Sequence, residues 1–249
     1  MQTMTKRMIG TVLVLCVWCL MSGAQAGESP KKDGDASAPQ AKQEQRVPDP
    51  YGFIMDWLSL LDPIPLPEQL YSATNRNNSA DREFFPGMKT CKPKEGDTVK
   101  LDFKDLEDFW KTGPSDNKPV PDVVRTWRAN RTDNFRISFP PKHNALYLAV
   151  TYIVCAEEIP NVKLKAGAGD FSIWLLNGKE VIRALKNAKM PMIDEDVSEP
   201  VTLKKGVNVL MAEVLNSYGG YSIGLCARFV DKDDKPVRNV TISLTPPAR

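Results

Sequence analysis

Asn177-Gly178 constrains this chain more than any other pair of its residues. Both residues accept positive φ, which a two-residue hairpin turn requires. The pair stands between Phe171 to Leu176 and Glu180-Val181-Ile182, two β-forming runs. A hairpin alone is marginal in water and needs further strands to bury a face. The sequence supplies them. Ala145 to Cys155 is a long run rich in Tyr, Val and Ile, and Val162-Lys163-Leu164 follows it. Val201-Thr202-Leu203, Val207 to Leu215, Tyr221 to Phe229 and Val240 to Leu244 continue the series. Upstream, Val99 to Phe103 and Phe135 to Phe139 alternate with period two, the pattern of a strand with one wet face. Ile54 to Leu58 ends against Asp62-Pro63.

Short strands joined by tight turns, without long intervening helices, predict an all-β jelly-roll sandwich. Leu106, Phe109 and Trp110 have helical spacing, so a short helix or helical turn is expected near 104–111. The 20 prolines and 15 glycines in 249 residues suit such a turn-rich chain. Lys+Arg 33 against Asp+Glu 31 leaves a net charge of +2, which gives nucleic acid or anionic lipid no electrostatic grip.

The N-terminus reads as an export signal, residues 1–26. Lys6 and Arg7 precede an apolar stretch from Ile9 to Met21, and Ala24-Gln25-Ala26 forms the small-x-small cleavage pattern. No membrane span is expected after cleavage, and the location is extracytoplasmic, periplasmic or secreted. Residues 27–50 are polar, with Val47 as their only large aliphatic side chain, and read as a flexible tether. Residues 51–249 then form one β-sandwich domain. Cleavage leaves Cys91, Cys155 and Cys226 in an oxidising compartment, where three buried thiols are as admissible as one bridge with a free thiol; for a bridge, Cys155 with Cys226, both in strands, is the expected disulfide.

Taken in order, several segments resemble a family. Asp56-Trp57-Leu58, the Gly167-Ala168-Gly169-Asp170 turn and Asn177-Gly178-Lys179 come first. Val201 to Asn208, Gly219-Gly220-Tyr221 and Asp231 to Val237 follow. The set is similar to galactose-binding-like or PA14-like modules of secreted bacterial proteins, which accompany carbohydrate-processing enzymes. The resemblance covers about 51–247 and is strongest after Ala145. It implies a sandwich whose rim loops bind glycan. Two departures stand out. The family's paired aspartates in the acidic turn are reduced to Asp170, and its tryptophan falls on Leu175, one residue beyond Trp174. One step in a strand reverses the face.

Candidate sugar-contacting residues near turns are Tyr218, Asn216, Tyr221, Asn177 and Arg183, since aromatic faces and planar polar groups serve pyranose rings. Asp170, Asp194 and Asp196 are the candidate ligands of a structural calcium ion. No other cofactor is expected. His143 is the only histidine, in a Pro-Pro-Lys-His-Asn turn with no nucleophile motif, and reads as a loop residue. The acids Asp105, Glu107 and Asp108, and Asp194, Glu195, Asp196 and Glu199, lie in polar stretches that read as solvated faces. The chain is therefore expected to be a non-enzymatic, carbohydrate-binding-like module. The alternative is a structural or adaptor protein that docks a partner protein or the cell envelope.

Overall fold

The computed structural model describes residues 45–60, 62–72, 75–106, 123–217 and 223–246. The expected signal segment and all but the last few residues of the expected tether lie outside them. So do the tyrosines at 218 and 221.

The strands are β1 (Asp56–Leu60), β2 (Ile64–Pro65), β3 (Thr98–Lys100), β4 (Val124–Arg131) and β5 (Ile137–Phe139). Next come β6 (Ala145–Cys155), β7 (Ile159–Ala168), β8 (Phe171–Leu176), β9 (Lys179–Ala184) and β10 (Asp196–Val197). The series ends with β11 (Val201–Leu203), β12 (Gly206–Asn216), β13 (Ile223–Val230) and β14 (Val240–Ser243). One short helix, α1 (Arg76–Asp81), stands among the described residues, with 3-10 turns at Glu68–Tyr71, Met88–Thr90 and Lys104–Leu106. The last of these falls inside the expected 104–111 helical stretch, whose remainder is outside the described residues.

The fold is an all-β sandwich of two antiparallel sheets. The first runs β3-β4-β1-β6-β12-β8-β9, and the second β10-β7-β13-β5 with β11 beside β7. β6 is the axis of the first sheet. One of its edges pairs with β12 along its whole length, Gly206↔Cys155 to Asn216↔Ala145. The other edge is shared by β2 at Ala145 and Leu146, β1 at Ala149 and Val150, and β14 from Tyr152 to Cys155. The Asn177-Gly178 hairpin forms as expected, with φ of 54° and 79°, and joins β8 to β9.

Alternation along β6 explains why its run is apolar without a break. Tyr147, Ala149 and Ile153 face the second sheet, where they meet Leu164, Ala166, Leu225, Ala227 and Phe229. Leu146, Leu148, Val150 and Tyr152 face the other way, into a second core closed by Leu66, Leu70, Phe84, Met88, Leu101 and Leu106. The first sheet is thus buried on both faces, by the second sheet and by a cover drawn from the mostly irregular chain between β2 and β3 and just after β3. Continuous apolar runs are the mark of such strands. Trp57 and Trp174 meet edge-to-face in the inter-sheet core, ring centroids 6.1 Å apart. Leu175, one step on, belongs to the cover-side core, so the two positions face opposite ways.

Described residues ahead of Tyr51 also join the fold. Arg46 and Ile242 exchange both backbone hydrogen bonds, at 3.0 and 2.6 Å, and Pro48 is buried.

The expected Cys155–Cys226 disulfide is absent; both thiols are free and buried. Cys155 points into the inter-sheet core from the first sheet. Cys226 stands between Leu225 and Ala227, which point into that core, so its own side chain leaves from the opposite face of β13. Side chains on opposite sides of a sheet layer cannot meet in disulfide geometry. Each sulfur has its own polar neighbour: Asn208 Nδ2 donates to Cys155 Sγ at 3.7 Å, and Cys226 Sγ to Met192 O at 3.8 Å.

Candidate binding rim

Antiparallel pairing carries four segments to one end of the sandwich. Asn216 ends β12 beside Ala145 at the start of β6, and Leu215 pairs with Phe171 at the start of β8. Ala184 ends β9 against Ser172, and Ile223 begins β13 against Phe139 at the end of β5. Loops 140–144 and 169–170, the 185–195 loop and Ser217 therefore share this rim.

Asp170 ties three of them together. Its φ of 50° turns the chain sharply between β7 and β8, a conformation that aspartate tolerates. Its Oδ2 accepts from the Ser217 N–H at 2.7 Å and the Ser217 hydroxyl at 2.9 Å. Its own N–H donates to Lys189 O at 2.6 Å. Beside it, Arg76 stacks on the Phe171 ring at 3.6 Å and donates to Leu185 O at 2.5 Å. Burial lowers the Arg76 pKa, and the nearby Asp170 charge opposes that shift. Asn216 Nδ2 donates to Lys142 O at 2.6 Å, which fixes the 140–144 loop. His143 is exposed on that loop.

The 185–195 loop then crosses the outer face of the second sheet. The Met192 carbonyl lies over Gly167, where no side chain intervenes, and within 3.8 Å of the Cys226 sulfur. Arg228 clamps Asp194 through one guanidinium edge, donating from Nε to Oδ1 at 2.9 Å and from Nη2 to Oδ2, while its Nη1 donates to Tyr51 O at 3.0 Å. The Asp194 hydrogen bond, outweighing burial, raises the Arg228 pKa. Burial pushes the Cys226 thiol up to about 11. Lys189 Nζ holds Asp196 at 2.5 Å and stands 3.5 Å from Glu195. With its backbone and charges so engaged, the loop buries Leu185 and Pro191 but leaves three apolar side chains outside: Met190, Met192 and Ile193 are 49%, 59% and 47% exposed, and Val197 just beyond is 49% exposed.

This geometry sorts the sequence-derived candidates. Asn216 is buried and serves the scaffold. Asn177 lies at the opposite rim, where Nδ2 donates to Asn208 Oδ1 at 3.0 Å and Oδ1 accepts from the Val209 N–H at 2.9 Å. Asn216 and Val209, seven residues apart along β12, are separated by about 23 Å at strand rise. The two asparagines cannot grip one sugar. Arg183 extends from β9 towards the cover, bonded to Glu180 at 2.6 Å and to Asp81 at 2.6 Å. The Glu180 hydrogen bond first, then Asp81, raise its pKa against the opposing effect of burial. Tyr218 and Tyr221 lie outside the described residues, directly after the Ser217 that Asp170 holds.

The three candidate calcium ligands are not gathered. Asp170 serves Ser217, Asp194 serves Arg228 and Asp196 serves Lys189. Among the described residues no group of three or more His, Cys, Asp or Glu side chains could hold a metal ion. The physical reason is local: two of the three carboxylates have a cation in hydrogen-bond contact, which takes the charge a calcium ion would use. In the sequence the exposed Met190, Met192 and Ile193 are masked by the acids Asp194, Glu195 and Asp196 that follow them. The signal is an apolar cluster broken by Pro191 inside an otherwise polar loop.

No protein-family model matches the sequence, and no curated protein sequence does. Among solved structures, the crystal structure of β-glucosidase from Kluyveromyces marxianus in complex with glucose is similar at a TM-score of 0.32 and 14% identity. The match covers 64% of this chain and 19% of that one, so the chain spans about a fifth of that enzyme's length. The class of protein at hand is therefore defined by its own fold: a two-sheet all-β sandwich with a built rim.

Proposed function

We propose that this chain is a non-catalytic binding module of the cell exterior or envelope, working through the rim that carries Met190, Met192 and Ile193. One observation carries the reading. The loop is held at its backbone and charged side chains by Gly167, Arg228 and Asp196, yet presents thioether and aliphatic groups to solvent. Exposed apolar side chains on a pre-formed support suit association, because little ordering remains to be done on binding. Methionine adds polarisable, adaptable contact.

This chemistry fits a protein partner better than a sugar. The planar polar groups suited to hydroxyls, Asn216, Asn177 and Arg183, are occupied within the fold. The rim acids Asp194 and Asp196 are paired with cations, which suits neither general acid nor general base. The adaptor reading is thus preferred. The glycan reading keeps one specific support, since Asp170, the one aspartate of the acidic turn that the galactose-binding-like resemblance implies, stands on this rim bonded to Ser217.

The test is a triple substitution, Met190→Ser, Met192→Ser and Ile193→Ser, with co-purification after mild cross-linking and gel retention on a polysaccharide panel. The adaptor reading expects a partner lost in the variant and no retention by any polysaccharide. Retention of both forms on one polysaccharide, with no cross-linked partner, would replace it with the glycan reading.

A further inference from the structure

Glu213 is fully buried in the middle of β12, flanked by Leu148 of β6 and Ile173 of β8. It shares its face with Met211 and Leu215, which pack beneath the cover. Neither of its carboxyl oxygens has a hydrogen-bond partner among the described residues. A single acid inside the run Val209 to Leu215 is the trace it leaves in the sequence.

The charged and titratable groups around it come from every neighbouring element. Lys89 and the Cys91 thiol approach from the cover, Asp81 from α1, and Arg183 and Glu180 from β9. Neither cation is bonded to it. Lys89 Nζ donates to Ala80 O at 3.1 Å, while Arg183 is taken by Glu180 and Asp81. From β6 and β8 it meets Leu148 and Ile173, which offer no polar group at all.

We propose that Glu213 is a proton-operated latch: as the neutral acid it lets the 75–91 part of the cover lie on the first sheet, and on losing its proton to solvent it lifts that part. An unpaired carboxylate cannot stay in an apolar layer, and water reaches it only where cover and sheet part. The sign follows from linkage. Burial, partly offset by Lys89 and Arg183, raises the closed-state pKa from 4.5 to about 8. An opened cover returns the group to the ordinary glutamate value. The closed form therefore holds its proton more tightly, and opening is favoured as pH rises from about 4.5, tenfold per unit, levelling above about 8. Opening would uncover Met211, Leu215 and Ile173, a new apolar face on the far side of the sheet from the sandwich core.

Hydrogen exchange of the full chain between pH 5 and pH 9, expressed as protection relative to intrinsic amide rates, tests this. Protection within 76–91 should fall by roughly a few hundredfold from pH 5 to pH 8. Protection in β7 and β13 should hold, and Glu213→Gln should abolish the fall. Should Glu213→Gln not fold, Glu213→Met fits the apolar surroundings and takes its place. Three results would overturn the latch: no pH dependence in the parent, the same dependence in the variant, or a parallel loss in β7 and β13. The first would mean that Lys89 swings from Ala80 to pair with the carboxylate under a closed cover. The last would mean global unfolding.

Discussion

Replacing Gly167 with alanine probes the seat of the exposed loop. A Cβ built on Gly167 would lie 1.7 Å from the Met192 carbonyl oxygen, 2.8 Å from its carbon and 3.3 Å from the Cys226 sulfur. Non-bonded carbon contacts settle near about 3.5 Å, so the loop must withdraw by roughly 2 Å. The obstructing atoms are backbone, with no rotamer to swing aside. Withdrawal strains the Arg228–Asp194 clamp, both of whose side chains are mostly buried. Overpacking of this kind costs about 1–3 kcal/mol. For a domain of this size that is a fall in Tm of about 3–10 °C. Calorimetry reads the fall, and thiol labelling reads the displacement. The Cys226 thiol, buried and held to about 11, should label slowly in the parent and much faster in Gly167→Ala. An unchanged Tm with unchanged Cys226 labelling would refute the packing of Met192 on Gly167.

Trp57→Ala should destabilise the domain by about 3–5 kcal/mol in denaturant titration, because it removes a fully buried side chain and the contact with Trp174; a loss below 1 kcal/mol would contradict a close-packed inter-sheet core. Alkylation in denaturant without reductant should label Cys91, Cys155 and Cys226 alike, whereas a linked Cys155–Cys226 peptide would contradict the opposite-face placement. Asp170→Ala should cost about 1–3 kcal/mol through the lost Ser217 bonds, and exchange should quicken first at Ser217; an unaltered Ser217 amide would dissolve the junction of the rim loops.

The two-sheet architecture was legible because period-two runs and Asn177-Gly178 are local signals. The long apolar run of β6 also announced itself. β4 did not. Val124 to Arg131 carries three arginines and buries only Trp127 fully, so its sequence reads as loop, although it pairs with all five residues of β1. Its strand state comes from the neighbour, which periodicity cannot show. The cover was equally silent, because Leu66, Phe84, Met88 and Leu101 are too scattered to form a period and meet only in three dimensions. At the rim, sequence placed Asp170 beside a turn correctly as a local matter. Which partner each aspartate takes depends on strands far away in the chain, Arg228 for Asp194 being 34 positions distant. The disulfide expectation failed for a like reason. Strand membership was read, but the facing of Cys226 depends on a register set by β7 and β5.

The proposed role rests on the solvent-facing methionines of the 185–195 loop as the contact surface. Site-specific photo-cross-linking of the full chain in the cells that make it addresses this directly, with the reactive group at Met192 and, as control, at Val207 on the opposite rim, itself 38% exposed. A discrete protein adduct from position 192 that is absent from position 207 is the expected result. Equal adducts from both positions, or none from 192 while the same protein is captured through 207, would contradict it.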